Sequence, residues 1–116
     1  MEQLIIKVGE HMDKDLREVF LEPKKAVPGT HTLYLKNLGE LQGILSPKRL
    51  ELLIHLIKNQ EEKNTVSKLA KELKRKQEAI SRDSNILVKH NLIKKIKEKQ
   101  MVYIKALYKS LNIQLS

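Results

Sequence analysis

Apolar positions along this chain change period several times, and each change marks an element. Leu4-Ile5-Ile6-Lys7-Val8 is a short β-branched run closed by Gly9, and it predicts a strand. From Asp13 to Leu21, Leu16, Val19 and Phe20 recur at helical spacing behind Asp13 as N-cap, and Pro23 stops the helix. Glu22–Thr30, with Pro23, Pro28 and Gly29, reads as a loop. His31–Leu35 alternates weakly and predicts a second strand. Asn37 then caps a short helix carrying Leu38, Leu41, Ile44 and Leu45, although Gly39 and Gly43 lower its helix propensity.

Ser46-Pro47 is a firm boundary. Serine is a preferred N-cap, and proline at the first helical position has no N–H to leave orphaned. Behind it Leu50, Leu53, Ile54 and Ile57 form the expected buried stripe of a helix ending near Asn59. Gln60–Asn64 is a polar connector. Ser67 is the expected cap of a two-turn helix whose Leu69, Ala70 and Leu73 face inward. A third helix runs from Lys76 to about His90. With Ile80 at the centre of its buried stripe, steps of about 100° put Ser84 and Leu87 beside it and Glu78, Arg82, Asn85 and Lys89 on the opposite face. Ser81 falls at the edge of that face. Ile80, Leu87, Val88 and Leu92 are expected in the core. Asn91 stands where the chain must leave the helix, and asparagine tolerates the left-handed conformation required there. Ile93–Lys97 and Met101–Lys105 predict a hairpin around Glu98-Lys99-Gln100, with Val102 and Ile104 alternating against Tyr103 and Lys105. Ser110–Leu115 alternates Leu111, Ile113 and Leu115 and predicts a third strand.

Charge divides the chain more sharply than hydropathy does. Residues 1–45 hold six Lys/Arg and seven Asp/Glu, whereas residues 46–116 hold seventeen and seven. Residues 74–99 alone carry nine basic and three acidic side chains. A polyanionic partner is therefore expected for the C-terminal part and a different task for the N-terminal part. A solvated Lys-rich surface is the plainer alternative.

Other chemistry is thin. The chain has no cysteine, so disulfides, thiolate nucleophiles and Cys-ligated zinc are excluded. His11, His31, His55 and His90 are scattered without metal-ligand spacing, and no metal or cofactor is expected. There is no Gly-rich phosphate loop and no Ser/His/Asp arrangement. Asp13 and Asp15 stand at i and i+2, so they do not share a helix face as paired carboxylates would. The expectation is a non-enzyme. No apolar run approaches the roughly 20 residues needed to span a bilayer, and no signal peptide is legible, so a cytoplasmic protein without membrane attachment is expected.

Helix, helix, basic helix and basic hairpin in this order describe a helix-turn-helix followed by a wing. Leu45-Ser46-Pro47-Lys48-Arg49-Leu50-Glu51-Leu52-Leu53, Leu69-Ala70, Ser81-Arg82-Asp83 and Asn91-Leu92-Ile93 together resemble small prokaryotic, largely archaeal winged-helix transcriptional regulators, distantly MarR-like. Asn91 replaces the glycine usual in that family, and Lys76-Gln77-Glu78 departs from relatives at the start of the third helix. The resemblance implies an α+β winged helix-turn-helix at 46–116, with residues 1–45 as a strand–helix–strand extension for dimerisation or partner binding. It also implies a regulator of double-stranded DNA, working as a homodimer and repressing its own operon. Some members resemble antitoxins, so binding of a cognate toxin or another protein is the alternative.

A winged helix lays its third helix in the major groove. Gln77 is then placed to pair with adenine and Arg82 with guanine, while Ser81 and Asn85 meet base or phosphate. Lys48, Lys68, Lys76, Lys89, Lys95, Lys97 and Lys99 are expected at phosphates, and Lys99-Gln100 forms the wing tip. For Arg82 a structural ion pair is the plainer alternative to a DNA contact. Asp83 and Glu78 are expected to pair with Lys74, Arg82 or a helix-start amide, and Arg49 with a carboxylate.

Overall fold

The computed structural model describes residues 3–9 and 30–115. The expected helix Asp13–Leu21 with its Asp13 cap, and the loop up to Gly29, lie outside the described residues. Strands β1 (Gln3–Val8) and β2 (Thr30–Leu35) are followed by helices α1 (Leu38–Ile44), α2 (Pro47–Lys58), α3 (Val66–Glu72) and α4 (Gln77–Lys89). Strands β3 (Ile93–Glu98), β4 (Met101–Ala106) and β5 (Ser110–Leu115) complete the order. Helices α2 to α4 and the β3–β4 hairpin make an α+β winged helix-turn-helix.

Local chemistry sets most boundaries. Asn37 caps α1 by accepting from the Glu40 amide at 2.9 Å, and Ser46 caps α2 by accepting from the Arg49 amide at 3.3 Å. The cap of α3 is Thr65, not Ser67: the Thr65 hydroxyl accepts from the Lys68 amide at 3.2 Å, and Ser67 is exposed two residues further on, inside the helix. Two helices end in the same left-handed turn. After α3, Lys74 takes φ 56° and the Arg75 amide donates to Ala70 O at 2.9 Å. After α4, Asn91 takes φ 59°, its amide donates to Val88 O at 3.0 Å, and the Leu92 amide donates to Leu87 O at 3.0 Å. These bonds satisfy carbonyls that a helix end would otherwise leave unpaired. The conformation expected at Asn91 is therefore present.

The two sheets differ in kind. β3 and β4 pair antiparallel across a two-residue turn, Glu98 opposite Met101, with Lys99 at φ 58°. The Ile104 amide donates to Asn64 O at 2.8 Å, which fixes the hairpin to the α2–α3 connection. Ser110–Leu115 is a strand as its alternation predicts, yet it does not extend the hairpin. It runs parallel to β1, as β2 does on the other side, with Leu4 opposite both His31 and Leu111. The break in charge at residue 45 thus falls between strands that share one sheet.

One apolar cluster joins this sheet to the helices. Leu4, Ile6, Val8 and Leu35 are buried together with Leu52, Leu53, Leu56, Leu69, Ile80, Leu87, Leu92, Ile93 and Ile104. The inward stripe of α2 is rotated from the expected one: Leu52, Leu53 and Leu56 are buried, Leu50 and Ile57 only pack at its margin, and Ile54 is exposed. Six of the eight residues Leu50–Ile57 are apolar, so spacing alone does not choose the face. In β4 the buried positions are Ile104 and Ala106, and Val102 is exposed. Tyr108 pins the two parts together. It is 2% exposed, its hydroxyl donates to Asn91 O at 3.2 Å, Gln60 donates to its carbonyl, and its ring stacks on His31 of β2 at 5.9 Å. Burial raises the pKa of that phenol, so it stays a neutral donor.

Candidate nucleic-acid interface

Helix α4 presents the face its periodicity predicts. Ile80, Ser84 and Leu87 are buried, while Gln77, Glu78, Arg82, Asn85 and Lys89 are exposed and Ser81 is half-buried at the margin. Gln77, Glu78, Ser81, Arg82 and Asn85 line an open groove with Ile86 and with Val66 from the start of α3. Lys76 is the N-cap residue of α4, in extended conformation, and no side chain caps the helix. The first-turn amides are left facing outward, where a helix attracts anions.

Asp83 is not on this face. Its carboxylate is 4% exposed and gripped by two arginines, Arg75 Nη2 at 2.6 Å and Arg49 Nη1 at 3.2 Å. The expected partners Lys74 and Arg82 are not the ones it has. Arg49 also donates from Nε to Ile44 O at 2.8 Å and from Nη2 to Gly43 O at 2.9 Å. Arg49 therefore ties the end of α1 and the start of α2 to the middle of α4, and Arg75 ties the α3–α4 turn to the same carboxylate. The structural role expected for Arg49 is the one it plays. Arg75 received no role from the sequence, since it stands in the α3–α4 turn eight positions before Asp83. Ser84 donates to Ile80 O at 2.6 Å, which settles its hydroxyl inside the helix.

The cations sort into engaged and open groups. Lys68 Nζ lies 3.2 Å from Glu62 and 3.6 Å from Glu72, and Glu72 also meets His55 Nε2 at 2.7 Å. Lys48 sits 3.9 Å from Glu51. Lys95 of β3 donates to Asn85 Oδ1 and has no carboxylate partner among the described residues. Lys76, Arg82, Lys89, Lys97 and Lys99 have no side-chain partner among the described residues and are all exposed.

At the wing, Glu98 accepts from Lys63 at 3.0 Å and from the Tyr103 hydroxyl at 3.2 Å, and Lys63 lies 5.7 Å from the Tyr103 ring centre. The hydrogen bond with Glu98 holds the Lys63 pKa above its ordinary value, and the hydrogen bond with Lys63 holds the Glu98 carboxyl below its own. Lys99, Gln100 and Met101 surround this pair at the tip. Lys63, which the sequence did not single out, is the cation paired with the wing acid Glu98.

No group of three His, Asp or Glu among the described residues is arranged to hold a metal ion. No helix among them is long and apolar enough to cross a membrane.

The fold is also that of a solved structure. The crystal structure of the transcriptional regulator HlyU from Vibrio vulnificus CMCP6 superposes with a TM-score of 0.50 at 23% identity, covering 79% of this chain and 81% of that one. No match was found among curated proteins. Neither HlyU nor the family that matches carries the MarR-like or antitoxin label expected from the sequence. The family model described as HVO_A0114 matches residues 44–113, well over half of the 116 residues, from the end of α1 through β5. The chain belongs to the HVO_A0114 family.

Proposed function

We propose that this chain is a sequence-specific double-stranded DNA-binding transcriptional regulator, cytoplasmic, homodimeric and repressing its own operon. One observation carries the proposal. In the basic half, Asp83 is turned into the fold and Glu62, Glu72 and Glu98 are held in pairs, while Lys76, Arg82 and Lys89 stay open along α4 and Lys97 and Lys99 along the wing. Glu78 is the one exposed acid on that face, and it stands in the first helical turn, where a negative charge is favoured. The likeness in fold to a transcriptional regulator supports the same reading.

In this reading α4 enters the major groove, Gln77 and Arg82 reach base edges, and Ser81 and Asn85 complete the groove-facing row. Lys76, Lys89, Lys97 and Lys99 meet phosphates, with Gln100 beside Lys99 at the wing tip. Lys68, held between two carboxylates, is the weakest member of the set. Four open lysines at phosphates predict that log K falls with log[salt] at a slope of about −3 to −4 per subunit. Fluorescence anisotropy on the DNA upstream of the gene, repeated at several salt concentrations, measures this slope. A flat response defeats the proposal.

The dimer contact is assigned to the three-stranded sheet. Along its edge, β5 carries no charged side chain, and Ile113 and Leu115 are exposed on the face that Leu4, Ile6 and Val8 turn to the core. A cognate toxin is the alternative occupant of that surface. Light scattering of the purified chain, alone and with the neighbouring gene product, separates the two: a monomer that binds nothing defeats both.

A further inference from the structure

Asn85 and Lys95 lie on different elements, α4 and β3, yet form one hydrogen-bonded unit at the groove. Lys95 Nζ donates to Asn85 Oδ1, and both side chains are exposed. An ammonium group has three donors and no acceptor, so the amide must turn its oxygen to it. Asn85 is then left with its Nδ2 hydrogens for any other partner, and Lys95 with its remaining N–H groups. Together they offer several donors beside one oxygen already bound to a cation.

That restriction has a consequence for base recognition. An asparagine that pairs bidentately with adenine must accept from N6 and donate to N7 at once. Here one Oδ1 lone pair is taken by an ammonium, and that positive charge disfavours a second donor such as adenine N6–H at the same oxygen. Guanine alone among the bases presents two acceptors, N7 and O6, on its major-groove edge, and the uncompensated charge of Lys95 strengthens bonds to them. Lys97, two positions along the same strand, makes no comparable contact among the described residues and remains a plain phosphate candidate. Resting on the DNA-binding reading above, we infer that Asn85 and Lys95 act as a single donor–donor reader that selects guanine, so that a lysine of the wing strand helps set sequence preference. Gln77, whose amide has no partner among the described residues, keeps the capacity for adenine.

The test selects bound duplexes from a randomised pool with the full chain and with Lys95→Met, Lys95→Arg, Asn85→Ala and Lys97→Met. The unaltered chain should require guanine at one base pair. Lys95→Met frees the Asn85 oxygen, so the guanine-over-adenine ratio at that pair should fall by about tenfold or more. Asn85→Ala should weaken the guanine requirement at the same pair, and Lys95→Arg should keep it. Lys97→Met should weaken all sequences alike. If Lys95→Met also weakens all sequences alike and leaves every base preference in place, Lys95 is a phosphate contact and the inference is overturned while the DNA-binding proposal stands. A chain that selects no sequence before any substitution overturns that proposal and this one together.

Discussion

Two ion-paired acids hold the proposed DNA-binding surface, and they do so in opposite environments. Asp83 has a carboxylate 4% exposed, caught between Arg49 and Arg75, whereas Glu98 at the wing is about half exposed with an equally exposed Lys63. In the interior the arginines must be present once the carboxylate is, because water can no longer satisfy it. At the surface water and salt compete with the lysine throughout. The buried triad therefore fixes the angle at which α4 meets α1 to α3. The exposed pair only biases the wing toward α2–α3. A firmly held α4 and a more loosely held wing follow from where two similar charges were placed.

The largest effect is expected from removing the buried acid. Asp83→Ala leaves Arg49 and Arg75 facing each other without a counter-charge and should cost about 3–5 kcal/mol in urea unfolding. A loss no larger than that of a surface substitution would remove the contrast between the two sites. Arg49→Ala sharpens the comparison, because Arg75 still holds Asp83. It gives up charged bonds to Ile44 O, Gly43 O and Asp83, and about 1.5–3 kcal/mol is expected by the same measurement. Should it exceed the Asp83→Ala value, Arg49 rather than Asp83 is the centre of the triad.

The smallest effect belongs to Glu98→Gln, which should leave the unfolding midpoint in place while amide exchange at Lys99 and Gln100 quickens. Its pH dependence has a definite sign. The Glu98 pKa is lowered by folding, so its contribution is present above the ordinary carboxylate range and is lost as pH falls through the lowered value. Lys63 is raised, so its share is complete below the ordinary lysine value and is lost as pH rises through the raised one. Wing-tip amide shifts recorded by NMR should therefore be constant across neutral pH and move only in strong acid or base. With Glu98→Gln the acid limb should vanish, and a limb that persists would place the tether elsewhere.

How legible these features were depended on their range. The exposed row of α4 could be read because one strong apolar stripe, Ile80 with Leu87, fixes the phase of thirteen residues. In α2 the apolar residues are too many to fix it, and the observed face at Leu52 and Leu56 was decided by what packs there. Thr65 and Ser67 are equally competent caps by type, and only the chain's path out of Asn64 selects the first. Lys74 in a left-handed turn had no sequence signal, since lysine seldom takes that conformation. Asp83 was expected to pair with Lys74, Arg82 or a helix-start amide, because the two arginines that draw it in stand 34 and 8 positions away.

The sequence by itself determined the elements among the described residues, their order, the caps at Asn37 and Ser46, the left-handed exit at Asn91 and the segregation of positive charge. These depend on hydrogen bonds and side-chain spacings within about five residues, which composition encodes directly. Only the tertiary structure decided that β5 joins β1 instead of the hairpin, that Asp83 turns inward and that Lys95 reaches Asn85. Each of those is a choice among chemically equivalent partners, and it is settled by which of them the core brings within a few ångströms.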